Sequence, residues 1–68
     1  MRLRNRLKLY RAELDVNQQE LAHMAGVSRQ TISLIERGDY SPSVSLALTL
    51  AHICGVTVED LFTLEEDN

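Results

Sequence analysis

The sequence predicts an all-α domain of five short helices, and three observations carry that prediction. Gly26, Gly38 and Gly55 each follow a stretch of helically spaced apolar residues, where the left-handed residue that ends a helix belongs. Asn17, Ser28, Ser43 and Thr57 stand just ahead of such stretches, in the places of helix N-caps. The 68 residues are enough for one small domain, and no repeat, linker or low-complexity segment interrupts them.

The elements follow in order. The first helix spans 6–14, with Asn5 as its cap and Leu7, Tyr10 and Leu14 on one face. Asp15 falls at its end, and Asp tolerates the left-handed region better than most residues with a side chain. The second helix spans 18–25, with Leu21, Ala22 and Ala25 inward; Glu20, three residues after Asn17, completes a capping-box-like spacing. The third spans 29–37, with Ile32 and Ile35 inward, and Pro42 separates it from the fourth. The fourth spans 44–54 and turns Leu46, Ala47, Leu50, Ala51 and Ile53 toward the core. Thr57 opens the last helix, 58–62, which buries Leu61 and Phe62. The chain ends, 2–4 and 62–66, alternate roughly in polarity, as two strands of a short antiparallel ribbon would.

Ten acidic against seven basic residues give a net charge of −3, which by itself argues mildly against a nucleic-acid partner. The distribution is sharply polarised. Arg2, Arg4, Arg6, Lys8 and Arg11 make the first eleven residues wholly basic, while Glu59, Asp60, Glu65, Glu66 and Asp67 make the last ten wholly acidic. If the ends pair, these blocks face each other as cross-strand ion pairs. A basic arm reaching into a DNA minor groove is the competing use of Arg2, Arg4, Arg6 and Lys8.

Cys54 is the only cysteine, so no intrachain disulfide forms, and a reducing, cytoplasmic setting is expected. No apolar run is long enough to cross a membrane, and no apolar signal-peptide core follows the basic start. His52 and Cys54 lie two apart on a helix, roughly 200° around it, and cannot share a metal ion. With neither a nucleophile elbow nor a phosphate-cradling glycine loop, an enzyme is not expected, nor is any cofactor.

The specific signal is 18–37, QQELAHMAGVSRQTISLIER, which has the spacing of a helix-turn-helix. Ala22 supplies the small residue where the second helix crosses the first. Gly26 supplies the turn, Val27 fills the corner, and Ile32 and Ile35 supply the inward apolar pair. With VSRQTISLIERG followed by YSPSVSLALTLA and GVTVEDLF, the chain resembles phage repressor/Cro-type (XRE) helix-turn-helix regulators over about residues 5–64. It is most similar to their compact, dimeric, cytolysin-repressor-like subgroup. That resemblance implies a five-helix repressor-like DNA-binding domain with a small ribbon joining the two ends.

Roles follow for the residues at these positions. Arg29, Gln30, Ser33 and Leu34 occupy the part of a recognition helix that meets base edges in the major groove. Arg suits guanine, Gln suits adenine, and Leu34 either touches a thymine methyl or is simply a partly exposed helix residue. Asn17, Gln18, Ser28, Thr31, Arg37, Tyr40, Ser41 and Ser43 lie at helix starts and in the following turn, where phosphates are contacted. Two positions depart from the family pattern, which often has a basic residue at Asp39 and an Asn at Ser41. The resemblance also implies that Arg11 and Glu36 form a structural ion pair; a phosphate clamp is the competing role for Arg11.

The fourth helix carries more apolar residues than one inward stripe needs. A two-fold interface using Leu48, Leu61, Phe62 and Leu64 would cover the excess and stabilise a domain this small. The expected function is therefore a homodimeric regulator of transcription, a repressor that binds an inverted repeat in double-stranded DNA. The alternatives are the antitoxin of a toxin–antitoxin pair, which adds a protein partner, and a protein-interaction module that has lost DNA binding.

Overall fold

The computed structural model describes residues 1–66, so the acidic Asp67 lies outside the described residues. The elements run β1 (Arg2–Asn5), α1 (Leu7–Glu13), α2 (Gln18–Ala25), α3 (Arg29–Arg37), α4 (Val44–Cys54), α5 (Val58–Leu61) and β2 (Phe62–Glu65). Five helices and a two-stranded antiparallel ribbon agree with the sequence reading, with α1 one residue shorter at each end and α5 shorter by one.

Each helix boundary has a local chemical cause. Asn17 accepts the Glu20 backbone N–H at 2.8 Å, and Glu20 accepts the Asn17 N–H at 2.9 Å, closing a full capping box. Ser28 and Ser43 cap α3 and α4 by accepting the Thr31 and Leu46 N–H groups, each at 3.2 Å. Thr57 and Asp60 form a second capping box at α5. Each such cap contributes about 1 kcal/mol. The turn between α2 and α3 depends on Gly26, whose φ of 72° is strained for any residue with a Cβ. Asp15, at φ 58°, takes the same region after α1.

The start of α1 is held differently. Arg6 occupies the cap position without a side-chain bond, and the residue before it does the capping: Asn5 Oδ1 accepts the Leu7 N–H at 3.1 Å.

Leu7, Leu21, Ala22, Ile32, Ile35, Leu50, Ala51, Leu61 and Phe62 form the core, so every helix sends at least one side chain into it. Burying each large aliphatic among them stabilises the fold by about 1.5–3 kcal/mol. Tyr10, Val27, Leu46 and Ile53 pack around the edge. The ribbon pairs Arg2 with Glu65, Leu3 with Leu64, Arg4 with Thr63 and Asn5 with Phe62. It therefore extends the buried Phe62 position outward to an apolar Leu3–Leu64 pair on the same face. The opposed charge blocks meet where Arg4 reaches Glu65 at 3.5 Å, diagonally across the strands.

Candidate nucleic-acid interface

Ile32 and Ile35 fix the rotation of α3 by entering the core. At about 100° per residue, the opposite face is centred on Gln30 and Arg37, with Ser33 and Leu34 on either side of them and Arg29 at its edge. Arg29, Gln30 and Arg37 are exposed, while Ser33 is half-buried. Leu34, beside Gln30 on this face, is half-buried like Ser33.

The first turn of α2 lies beside the first turn of α3. Arg11, Asn17, Gln18, Gln19 and Arg29 line a cleft of about 350 Å³ between them. Of these, Gln19 carried no sequence signal, because an exposed Gln on a helix start resembles any solvated residue. The cleft is built by a charge network beneath it. Arg11 donates from Nε to Glu36 Oε2 at 2.7 Å and from Nη2 to Oε1 at 3.2 Å, a bidentate pair. Its Nη1 donates to the Val16 carbonyl at 3.1 Å, and Gln18 Nε2 donates to Glu36 Oε1 at 3.1 Å. The side chains of Arg11 and Glu36 are only 15% and 5% exposed. The hydrogen bond to Glu36 raises the Arg11 pKa above its ordinary value, and burial only partly opposes it. The network ties α1, the start of α2 and the end of α3 together. Arg11 is thereby a structural partner of Glu36, not a free cation. Gln18, expected to face a phosphate, spends its amide nitrogen inside the protein.

The other expected backbone contacts lie at helix starts and in the turn from α3 to α4. The hydroxyls of Ser28 and Ser43 are used as caps, and Ser28 also lies 3.0 Å from the Thr31 hydroxyl. Tyr40, Ser41 and Ser43 are exposed in or beside the turn, and Thr31 is half-buried. Asp39, the acid at a position often basic in the family, meets Arg37 at 3.5 Å, so the two charges offset each other at the surface.

The surface expected to pair two protomers needs correction. Leu61 is 1% and Phe62 is 9% exposed, because both close the core beneath α4 and the ribbon. They stabilise the protomer and present nothing to a second copy. Leu48 and Leu64 are 56% and 64% exposed, and the ribbon adds Leu3 opposite Leu64. Leu3 was missed because it lies inside the basic block, where its neighbours dominated the reading.

Among the described residues no cluster of His, Cys, Asp or Glu is arranged to hold a metal ion. Burial pushes the Cys54 thiol pKa up, away from reactive thiolate chemistry. None of the described helices is long and apolar enough to cross a membrane.

A helix-turn-helix family model matches residues 7–61 of the chain. The chain belongs to the helix-turn-helix family of transcriptional regulators, of the phage repressor/Cro type. It is 49% identical to an HTH-type transcriptional regulator of Methanocaldococcus jannaschii, over 96% of this chain and 98% of that one. It is 33% identical to the cryptic phage CTXphi transcriptional repressor RstR of Vibrio cholerae, over 94% of this chain and 58% of the longer repressor. The fold is similar to a putative DNA-binding protein from Bacteroides fragilis, with a TM-score of 0.81, 28% identity, and coverage of 90% and 98%. This helix-turn-helix regulator thus has the DNA-binding fold of its family.

Proposed function

We propose that the protein represses transcription by binding an inverted repeat as a homodimer. The observation that carries this reading is the outward stripe of α3, flanked by the capped starts of α2 and α4. Arg29 and Gln30, exposed at the first turn, are matched to guanine O6/N7 and adenine N6/N7 in the major groove. Ser33 and Leu34 follow one turn on, with Leu34 beside a thymine methyl. The backbone N–H groups at the starts of α2 and α4 face phosphates, aided by Asn17, Gln18, Ser28, Thr31, Arg37, Tyr40, Ser41 and Ser43.

Leu64 and Leu3, exposed and paired across the ribbon, support the homodimer as an apolar surface a second copy would cover, and Leu48 is exposed on α4. A two-fold axis through such a surface turns two copies of α3 toward one face of the duplex. Repression by occlusion of polymerase is supported by the likeness to a phage repressor.

The test is selection of duplexes from random DNA, followed by a reporter carrying the selected site across its promoter. Enrichment of an inverted repeat with half-site centres about one helical turn (~34 Å) apart, together with loss of reporter output, is expected. Enrichment of no sequence, or of a single half-site with no change in output, sinks the reading.

A further inference from the structure

A second cleft, of about 560 Å³, separates β1 from the turn between α3 and α4, with Arg2, Arg4, Asn5, Arg37, Gly38 and Ser41 among its walls. It brings three guanidinium groups to one place in a chain whose net charge is −3. Glu36 also lines it, but its carboxylate is 5% exposed and already held by Arg11 and Gln18. Arg4 and Arg37 reach Glu65 and Asp39, each at 3.5 Å, with all four side chains more than half exposed. Such exposed pairs are weak and exchange readily for a better anion. Arg2 forms no ion pair among the described residues, although Glu65 stands opposite it in the register.

The two walls are fixed relative to each other. Asn5 Nδ2 donates to the Ile35 carbonyl at 2.8 Å, so the basic strand is bolted to the last turn of the recognition helix. The cleft also shares Arg37 and Ser41 with the turn expected to run along the DNA backbone. An occupant there is therefore continuous with whatever α3 docks against.

We infer that this cleft receives a phosphodiester of the bound duplex, held between Arg2 on the strand and Arg37 at the end of α3. The basic N-terminal block then acts as part of a folded strand, with no disordered arm needed. Arg4 exchanges Glu65 for the same backbone. The inference rests on the proposal that α3 reads DNA, and the test separates the two.

Wild type, Arg2→Gln, Arg37→Gln and the double variant are titrated with the duplex selected above and with a scrambled duplex, over a series of salt concentrations. Arg2→Gln is expected to weaken both duplexes by a similar factor, and to reduce the slope of log K against log salt by about 0.9, one phosphate contact. Arg2→Lys is expected to keep the slope, which separates lost charge from altered folding. The double variant is expected to lose less than the sum of the singles, because both residues serve one phosphate. An Arg2→Gln slope equal to wild type overturns the cleft assignment while leaving DNA reading by α3 intact. Wild type that shows no salt-dependent binding to either duplex overturns both.

Discussion

Asn5 and Ile35 are joined across thirty residues of sequence by a 2.8 Å hydrogen bond from the Asn5 amide to the Ile35 carbonyl. The same Asn5 side chain accepts the Leu7 N–H, so one residue finishes α3, starts α1 and ends β1. Ile35 carries α3 into the core with its side chain, and its carbonyl anchors the ribbon. The orientation of α3 is therefore set by its own core residues and by the N-terminal strand.

Replacing Asn5 with Ala removes a cap and a second hydrogen bond, and about 1–2 kcal/mol of stability should be lost. Asn5→Asp is the sharper substitution. It keeps an acceptor for the Leu7 N–H but points a carboxylate at the Ile35 carbonyl in place of a donor. At neutral pH it should be at least as destabilised as Asn5→Ala, recovering part of the difference when acid protonates the new carboxyl. Urea denaturation at two pH values reads both effects.

The Arg11–Glu36 pair makes a different prediction, because its two members are partly buried. Glu36→Ala strands the Arg11 guanidinium and the Gln18 amide, at a cost of about 3 kcal/mol. Arg11→Met with Glu36→Leu removes both charges and should be markedly less damaging than either single change. Chemical denaturation of the three variants decides this. A double variant as unstable as the sum of the singles would show that the pair is not coupled.

Asp60 gives the fold a pH dependence. Hydrogen bonds from the Thr57 backbone and side chain hold its pKa below the usual value, and nearby Arg6 lowers it a little further. A folded-state pKa below the unfolded one contributes stability above the unfolded pKa of about 3.9, lost as pH falls through the folded value. The melting temperature of wild type should therefore drop on the acid side of pH 4, and Asp60→Asn should flatten that part of the profile. An unchanged acid limb in Asp60→Asn would assign it to other carboxylates.

Most of this architecture was legible because it depends on local chemistry. Caps at Asn17, Ser28, Ser43 and Thr57, and left-handed glycines after α2, α3 and α4, mark helix ends through contacts only three or four residues apart. The ribbon was legible more weakly, since alternation over three or four residues is a short signal. What could not be read were side chains with two uses. Gln18 is expected to face a phosphate, yet its amide bonds Glu36, eighteen residues away. Leu61 and Phe62 carried two readings, core and dimer surface, and at 1% and 9% exposure only the first holds.

Gln18 therefore has a compound expectation. Gln18→Ala should weaken binding to specific and scrambled duplexes alike, and should also lower stability by about 1 kcal/mol through the lost bond to Glu36. Arg29→Ala, at an exposed position, should leave stability unchanged and relax specificity at one base pair by about 1–3 kcal/mol. Melting curves alongside the titrations distinguish a folding effect from a recognition effect.

The inward and outward leucines of the C-terminal segment separate folding from association. Leu61→Ala opens a cavity under α4, costs about 2–5 kcal/mol and should shift the denaturation midpoint at every protein concentration. Leu64→Glu replaces a 64% exposed side chain and should leave the protomer's core intact. If Leu64 and its cross-strand neighbour Leu3 face a second copy, that new charge lands in an apolar contact from both protomers at once, because a two-fold interface repeats every substitution. Sedimentation at micromolar concentration should then show wild type as a dimer and Leu64→Glu as a folded monomer. The monomer should bind a single half-site more weakly than the wild-type dimer binds the repeat, since tethering two half-sites raises affinity without any new contact. A wild type that sediments as a monomer at that concentration removes the basis for the dimer, and a dimeric Leu64→Glu moves the interface to the Leu48 face of α4.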